Sequence, residues 1–223
     1  FHFENYVRIW QKIPFGLFTF NSFKLTIIVT FIQVLTCSFA AYGFSKCKFR
    51  GRDTLFLCYI ATIAIPWQIY MLPQYSLMQK FHLVDTHLGY ILMQSFAAFG
   101  VFLLRQFYQS VPNELIEAAR IDGLSEYGCY FRIVLPLAKP AIATLTIFTF
   151  VNTWNDFMGP MIYFNSEANK TIPLGIRMFI GQYSSEYQLI MAASVVALLP
   201  ILILYVFCQR FFVQGIATSG LKG

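Results

Sequence analysis

The sequence predicts an all-α polytopic membrane protein, and three observations carry that prediction. Of its 223 residues, 57% are hydrophobic and only 12% charged, with a mean hydropathy of +0.60. Soluble domains average about 25% charged residues, so too few charges remain to cover a water-facing surface. The apolar residues gather into five long uncharged stretches, and Lys and Arg collect between them. The same numbers exclude a disordered chain, a collagen and a coiled coil.

The stretches run over 25–45, 54–79, 86–104, 140–155 and 187–209. A helix rises about 1.5 Å per residue, so roughly 20 residues cross a hydrocarbon core of about 30 Å. Four stretches reach or approach that length alone. The fourth reaches it by continuing past Asp156 to about Met161. The alternating ten-residue segments of a membrane barrel are absent, and backbone in lipid must bond to itself, so the spans are expected to be helices. Pro66 and Pro73 fall in the second span and Pro200 in the last. Each removes a backbone donor, which membrane helices tolerate and which can also bend a pathway-lining helix.

Charge gives the orientation. Segments 46–52 and 105–139 and the C-terminus hold Lys46, Lys48, Arg50, Arg52, Arg105, Arg120, Arg132, Lys139, Arg210 and Lys222. The opposite side holds Arg8, Lys12, Lys24, Lys80, Lys170 and Arg177. The richer side is expected to be cytoplasmic. Residues 1–18 then lie outside, which requires an earlier span or a cleaved signal; an upstream helix is expected, so the full chain would have six spans with an N-terminal one missing here. The net charge of +6 is spread between apolar runs and forms no nucleic-acid stripe. Five cysteines, Cys37, Cys47, Cys58, Cys129 and Cys208, have no metal-ligand spacing and read as packing residues or free thiols. No repeat or linker divides the chain, so 1–223 reads as one membrane domain, with an inner loop over 110–136 and an outer loop over 162–187.

The inner loop, SVPNELIEAARIDGLSEYGCYFRIVLP, is too polar to span. Ser110 is expected to cap a helix with Pro112 in its first turn. Glu114 and Glu117 sit early in it, where the helix dipole favours negative charge. Gly123 ends it in a left-handed conformation. A second short helix is expected from Ser125 to about Val134, stopped by Pro136, with Leu124, Tyr127, Phe131 and Val134 as its apolar stripe. Two short helices joined at a glycine make a protrusion suited to a groove in another protein.

Glu117-Ala118-Ala119, Gly123, Ile133, Leu135 and Pro136 match EAA-x3-G-x9-I-x-L-P at every fixed position. That pattern resembles the docking loop of permease subunits of binding-protein-dependent ABC importers. AAYGFSKCKFRGRD, EAARIDG, FVNTWNDF and the ending QRFFVQGIATSGLKG make the chain similar to the carbohydrate-uptake branch, and within it to the second permease of maltose-type systems, across essentially all of 15–223. The resemblance implies a type I ABC importer transmembrane domain of the MetI/maltose-permease-like kind. It implies a coupling helix from Glu117 to Gly123, including Asp122, seated in a cleft of a cytoplasmic ATPase. Glu117 would be its polar anchor, Ala118 and Ala119 would permit close approach, and Gly123 would set the turn. It implies as partners a second permease, two ATPase copies, an extracytoplasmic sugar-binding protein and the sugar. It places the chain in a bacterial cytoplasmic (inner) membrane, and takes the tail 215–223 to the ATPase interface. No cofactor is expected on this chain. It has no GxxxxGK[ST] loop, so ATP and magnesium would belong to the ATPase.

Asn152, Asn155 and Asp156 recur at i, i+3 and i+4 and so should share one face of the fourth span, with Trp154 pointing elsewhere. Ionisable groups at depth face the protein interior or water, so the cluster reads either as part of a sugar path or as a hydrogen-bonded knot between helices. In the outer loop, Asn165, Asn169, Thr171 and Gln182 could reach a binding protein or form a plain surface loop. His82 and His87 lack ligand-spaced partners. No catalytic grouping and no metal site are evident. The competing readings are a stand-alone secondary transporter or channel, and a structural membrane anchor. The docking loop and the scarcity of charges inside spans count against the first.

Overall fold

The computed structural model describes residues 2–181 and 186–220, with the side chains of 208–220 outside that description. The elements in chain order are α1 (Glu4–Lys12), α2 (Phe15–Lys46), α3 (Arg52–Ala61), α4 (Trp67–Lys80), α5 (His87–Gln94) and α6 (Ala98–Gln109). There follow α7 (Asn113–Ile121), α8 (Glu126–Cys129), a π-helical turn (Tyr130–Val134), α9 (Leu135–Leu137), α10 (Lys139–Trp154), α11 (Met158–Tyr163), α12 (Ile172–Arg177) and α13 (Tyr187–Gly220). Gln182, and the side chains of the tail 215–223, lie outside the described residues.

Two of the five expected spans, α2 and α13, are single helices long and apolar enough to cross a membrane, and the count rises to five when each broken pair is taken as one span. The breaks have local causes. The second span ends a helix in a 3₁₀ turn, Thr62–Ala64, and Ile65 is extended (φ −89°, ψ 110°) because Pro66 disfavours helical backbone before it. Pro66 therefore breaks this span, whereas Pro73 and Pro200 are carried inside α4 and α13. The third span breaks where Ala97 is extended (φ −141°, ψ 119°). At the break the Thr36 hydroxyl of α2 donates to Ser95 O, and Ala97 O accepts from the Val101 N–H at 3.2 Å with the Cys37 thiol of α2 as a second donor at 3.4 Å. The third counted pair joins Glu126–Leu137 of the inner loop to α10 across an 81° bend, and the expected continuation past Asp156 is instead the separate short helix α11.

The chain forms two compact units. One comprises Phe31–Tyr70, Ser95–Phe148 and Cys208–Gly223. Its core joins Cys37, Ala41 and Tyr42 of α2 to Val101, Leu104 and Tyr108 of α6, to Ile116 and Ala119 of α7, and to Cys129, Tyr130 and Val134. Helices approach closely at Gly100, where a Cβ would stand 2.8 Å from the Cys37 sulfur and 3.1 Å from Leu145 Cδ1. The other unit comprises Phe1–Thr30, Met71–Gln94 and Thr149–Phe207. Its core gathers Ile9, Phe15, Phe18, Trp154, Ile172, Phe179, Leu189 and Ala193. The described part of α13, Tyr187–Phe207, is largely uncovered, with 17% of its most apolar window buried against 50% for α2, so its Leu and Val side chains there present an apolar face to the surroundings.

Candidate functional site

The inner loop folds as a hairpin on the first unit. α7 turns Ile116 and Ala119 inward and leaves Glu114, Glu117, Ala118 and Ile121 exposed on the opposite face at i, i+3, i+4 and i+7. Ile121 is 87% exposed. Gly123 takes φ +85°, as the sequence predicts. The Leu124 N–H reaches Ala119 O at 2.9 Å and the Gly123 N–H reaches Arg120 O at 3.0 Å, the paired bonds of a Schellman end. Leu124 packs onto the core that contains Ala119, the apolar contact that accompanies such ends. Asp122 is exposed at the C-cap.

Several local expectations change. The Ser110 hydroxyl turns back to Phe107 O at 2.7 Å and does not cap α7, whose N-cap position is Pro112. Ser125 does cap its helix, accepting from the Gly128 N–H at 3.3 Å. The second arm does not stop at Pro136. It runs on to Leu137 and meets α10 at an 81° bend. Its π turn also shifts the buried face from the expected stripe. Cys129, Tyr130 and Val134 are buried, while Tyr127 and Phe131 are 71% and 50% exposed. Ile133 and Leu135 pack against the core and Pro136 is exposed. Ala119, Ile133 and Leu135 thus serve this unit's own packing, and Glu117, Ala118, Asp122 and Pro136 are the motif side chains on open surface.

Polar contacts hold the hairpin, and most come from residues the motif does not contain. The Arg120 guanidinium grips both Glu126 oxygens across the glycine turn, at 2.7 and 3.2 Å. That neighbour raises the Arg120 pKa above its ordinary value. The Tyr42 hydroxyl donates to Glu126 Oε2 at 2.8 Å. The buried Lys46 ammonium donates to Val111 O at 2.6 Å and Asn113 Oδ1 at 2.8 Å. Nearby, Arg105 lies 3.9 Å from the Phe56 ring centre and bonds Asp53, which joins segment 46–53 to α6 on the side where the basic residues concentrate. The Arg120–Glu126 spacing across an expected turn was the one sequence signal for these contacts.

The second candidate cluster lies in the other unit. Asn155 forms a turn and Asp156 follows it, so the expected common helical face with Asn152 ends at Trp154. Asp156 Oδ2 accepts from Tyr90 OH at 2.7 Å and Gln94 Nε2 at 3.3 Å, and Oδ1 accepts from the Gly159 N–H at 3.1 Å. A Cβ on Gly159 would fall 2.5 Å from Asp156 Oδ2. Trp154 is buried and donates to Ala197 O at 2.9 Å. Asp156 and Trp154 therefore have the geometry of a knot between helices. Asn152 and Asn155 are exposed, and Asn155 borders an open groove of about 360 Å³ with Phe157, Pro173, Ser194 and Leu198.

The outer loop is ordered around Asp85, which holds φ 58°. Its Oδ1 receives the Asn165 N–H at 3.0 Å, the Ser166 N–H at 3.1 Å and Asn169 Nδ2 at 3.1 Å. Partial burial opposes ionisation, but these donors outweigh it and hold the carboxyl below its usual range. Asn169 points into this cradle and Thr171 is buried, so neither is available to a partner as the sequence suggested, whereas Asn165 is exposed. His87 bonds Asn169 O at 3.2 Å. Among the described residues no group of acids, cysteines and histidines could hold a metal.

Fold and hairpin define a class: a multi-pass helical membrane subunit that leaves one face of a short, well-anchored helix open. The model of the binding-protein-dependent transport system inner membrane component matches residues 33–218, and the chain belongs to that family. It is a permease subunit of an ABC importer. It is 37% identical over 221 residues to the arabinooligosaccharides transport system permease protein AraQ of Halalkalibacterium halodurans, covering 99% of this chain and 79% of that one. It is 31% identical to the lactose transport system permease protein LacG of Rhizobium radiobacter, covering 97% and 80%. It is 30% identical to the sn-glycerol-3-phosphate transport system permease protein UgpE of Yersinia enterocolitica, covering 97% and 80%. Its fold matches a chain of a bacterial ABC transporter that imports the acidic polysaccharide alginate, with TM-score 0.84, 24% identity and 95% and 80% coverage.

Proposed function

We propose that this permease forms half of a pathway that carries a sugar or oligosaccharide across a bacterial inner membrane. An extracytoplasmic binding protein delivers the sugar, and a second permease supplies the other half. Two copies of a separate ATPase drive it, bind the ATP and magnesium, and dock on the Glu117 face of α7. The chain itself is non-catalytic. The observation that carries this reading is the hairpin. Its back is anchored by Lys46, Tyr42 and the Arg120–Glu126 pair, while Glu114, Glu117, Ala118 and Ile121 stay open. Ile121, at 87% exposure, adds an apolar contact beside the two acids on that face. Ala118 lets a partner backbone come close, and the acids supply polar anchors.

Glu117→Lys tests the docking. The expected result is loss of uptake by a membrane domain that still folds. Unchanged transport by an intact complex refutes it. The sugar class rests on relatives named for arabinooligosaccharides and lactose, and the sn-glycerol-3-phosphate relatives at 30–32% identity set its limit. A ligand screen on the cognate binding protein decides: a sugar supports the reading and a phosphodiester or phosphate ester overturns it. On the pathway, Asn155 and Asn152 are the side chains we assign to sugar contact, and Asp156 with Trp154 positions that segment. Asn155→Ala should change sugar-stimulated ATP hydrolysis, and an unaltered response removes Asn155 from the path.

A further inference from the structure

We propose that Ser38, Tyr42 and Lys46, one stripe along α2, are positioning residues that fasten the docking hairpin to that helix and pass its movement into the membrane. The inference rests on the docking reading above. The three residues stand at i, i+4 and i+8, so they lie one above another on a single helix face. Each is buried and each holds a different part of the loop. Ser38 Oγ meets Tyr108 OH of α6 at 2.6 Å and Tyr130 OH of the π turn at 2.7 Å. Tyr42 holds Glu126 of α8, and through it Arg120 of α7. Lys46 holds Val111 and Asn113 at the start of α7.

The covalent route is poorly suited to the same task. Before α7 the helix stops at Gln109, and three residues intervene before Asn113. After it come the glycine turn, the π turn and an 81° bend into α10. Each break is a place where a push can be absorbed. By contrast α2 is 32 residues without interruption, roughly 48 Å of continuous helix at 1.5 Å per residue. Lys46 is also placed against one electrostatic preference. The last turn of α2 favours a cation, but the start of α7 disfavours one. Its ammonium stays beside α7 through its two short hydrogen bonds, which fix where the helix begins, and through attraction to Glu114 in the first turn of α7. A stripe of three such contacts resists rotation as well as separation, which a single bond would not.

The test uses the assembled importer in nanodiscs, with nitroxides attached through unnatural amino acids at Leu35 on α2 and Tyr127 on the hairpin, both exposed. Pulsed dipolar distances are read before and after trapping with ATP and vanadate, so no sugar is needed. In the wild type the distance should hold constant, because hairpin and α2 move together. In Lys46→Met it should shift by roughly 2 Å or broaden, the scale of helix shifts in switching proteins. A wild-type distance that changes on trapping overturns the proposal, as does a Lys46→Met distance that stays fixed. If Lys46→Met fails to assemble, Tyr42→Phe decides by the same two criteria, since it removes one hydroxyl and leaves Lys46 and Arg120–Glu126 in place. Failure of the docking reading is separable: the ATPase would then be absent from the wild-type complex.

Discussion

Replacing Gly123 with alanine isolates one physical term. The residue sits at φ +85°, and a Cβ built there meets nothing within 4 Å. Any effect is therefore backbone strain and not a clash. Holding an L-residue in the left-handed region costs about 1–2 kcal/mol, a factor of roughly 5–30 in the closed-to-open ratio of the hairpin end. That end is reported by three amides, Asp122, Gly123 and Leu124, bonded to Ala118, Arg120 and Ala119 at 2.9, 3.0 and 2.9 Å. Hydrogen exchange at Asp122 and Leu124 should quicken by about that factor in Gly123→Ala, with exchange inside α13 unchanged. Gly123→Asn should fall between, because Asn tolerates the left-handed region better than Ala. Uptake should follow the same order of glycine, asparagine, alanine. Exchange in the alanine variant equal to wild type, or asparagine worse than alanine, refutes the assignment of the turn to φ.

Gly159→Ala should be worse than its size suggests. Its Cβ collides with the Asp156 carboxylate, and losing a hydrogen bond to a charged group costs about 1.5–3 kcal/mol, read as a lowered melting temperature of the purified complex. Gly100→Ala should destabilise by about 1–3 kcal/mol through overpacking on Cys37, and Cys37→Ala should recover part of it in the double variant. The Asp85 carboxyl is held below its unfolded value, so its contribution to the outer loop is fully present above the unfolded pKa of about 4 and is lost as pH falls through the folded one. Amide protection at Asn165 and Ser166 should accordingly stay flat from neutral pH to about pH 5 and drop in stronger acid, and Asp85→Asn should lower it throughout and abolish the acid step.

The helical spans and the hairpin were legible because each depends on composition or on a residue with one physical use. Uncharged length marks the spans, and Gly123 marks a left-handed end. Segments 46–53 and 105–126, grouped on one side by their basic residues, do meet in the structure through Arg105, Arg120 and Lys46. Helix continuity was less legible. The length of the second stretch hides the restriction that Pro66 places on Ile65. The break near Ala97 is marked by no proline or glycine, and depends on donors from Thr36 and Cys37, some 60 residues away. The i, i+3, i+4 reading of Asn152, Asn155 and Asp156 failed for a related reason. Periodicity assumes a helix that continues, and here the Asp156 carboxylate takes the Gly159 N–H as α11 begins. The Ser38–Tyr42–Lys46 stripe escaped notice because its members are useful only through partners far off in the chain.

These contacts also bear on where specificity resides. Asp156 is half-buried, and a carboxylate partly withdrawn from water is stabilised when protein donors fill its acceptor sites. Tyr90, Gln94 and Gly159 fill them at Asp156, and the Trp154 indole is occupied by Ala197. Groups already committed in this way cannot bind a sugar hydroxyl without first giving up a protein bond, which makes the exchange nearly neutral. Asn155 spends one amide donor on Val151 O at 3.0 Å and lines the groove. A single amide with an aromatic neighbour such as Phe157 gives weak, adaptable contact, suited to a cargo that must leave as readily as it arrives. Tight discrimination needs several buried donors and acceptors that a wrong ligand would strand. A groove with so few free polar side chains among its described residues is better matched to passage than to selection.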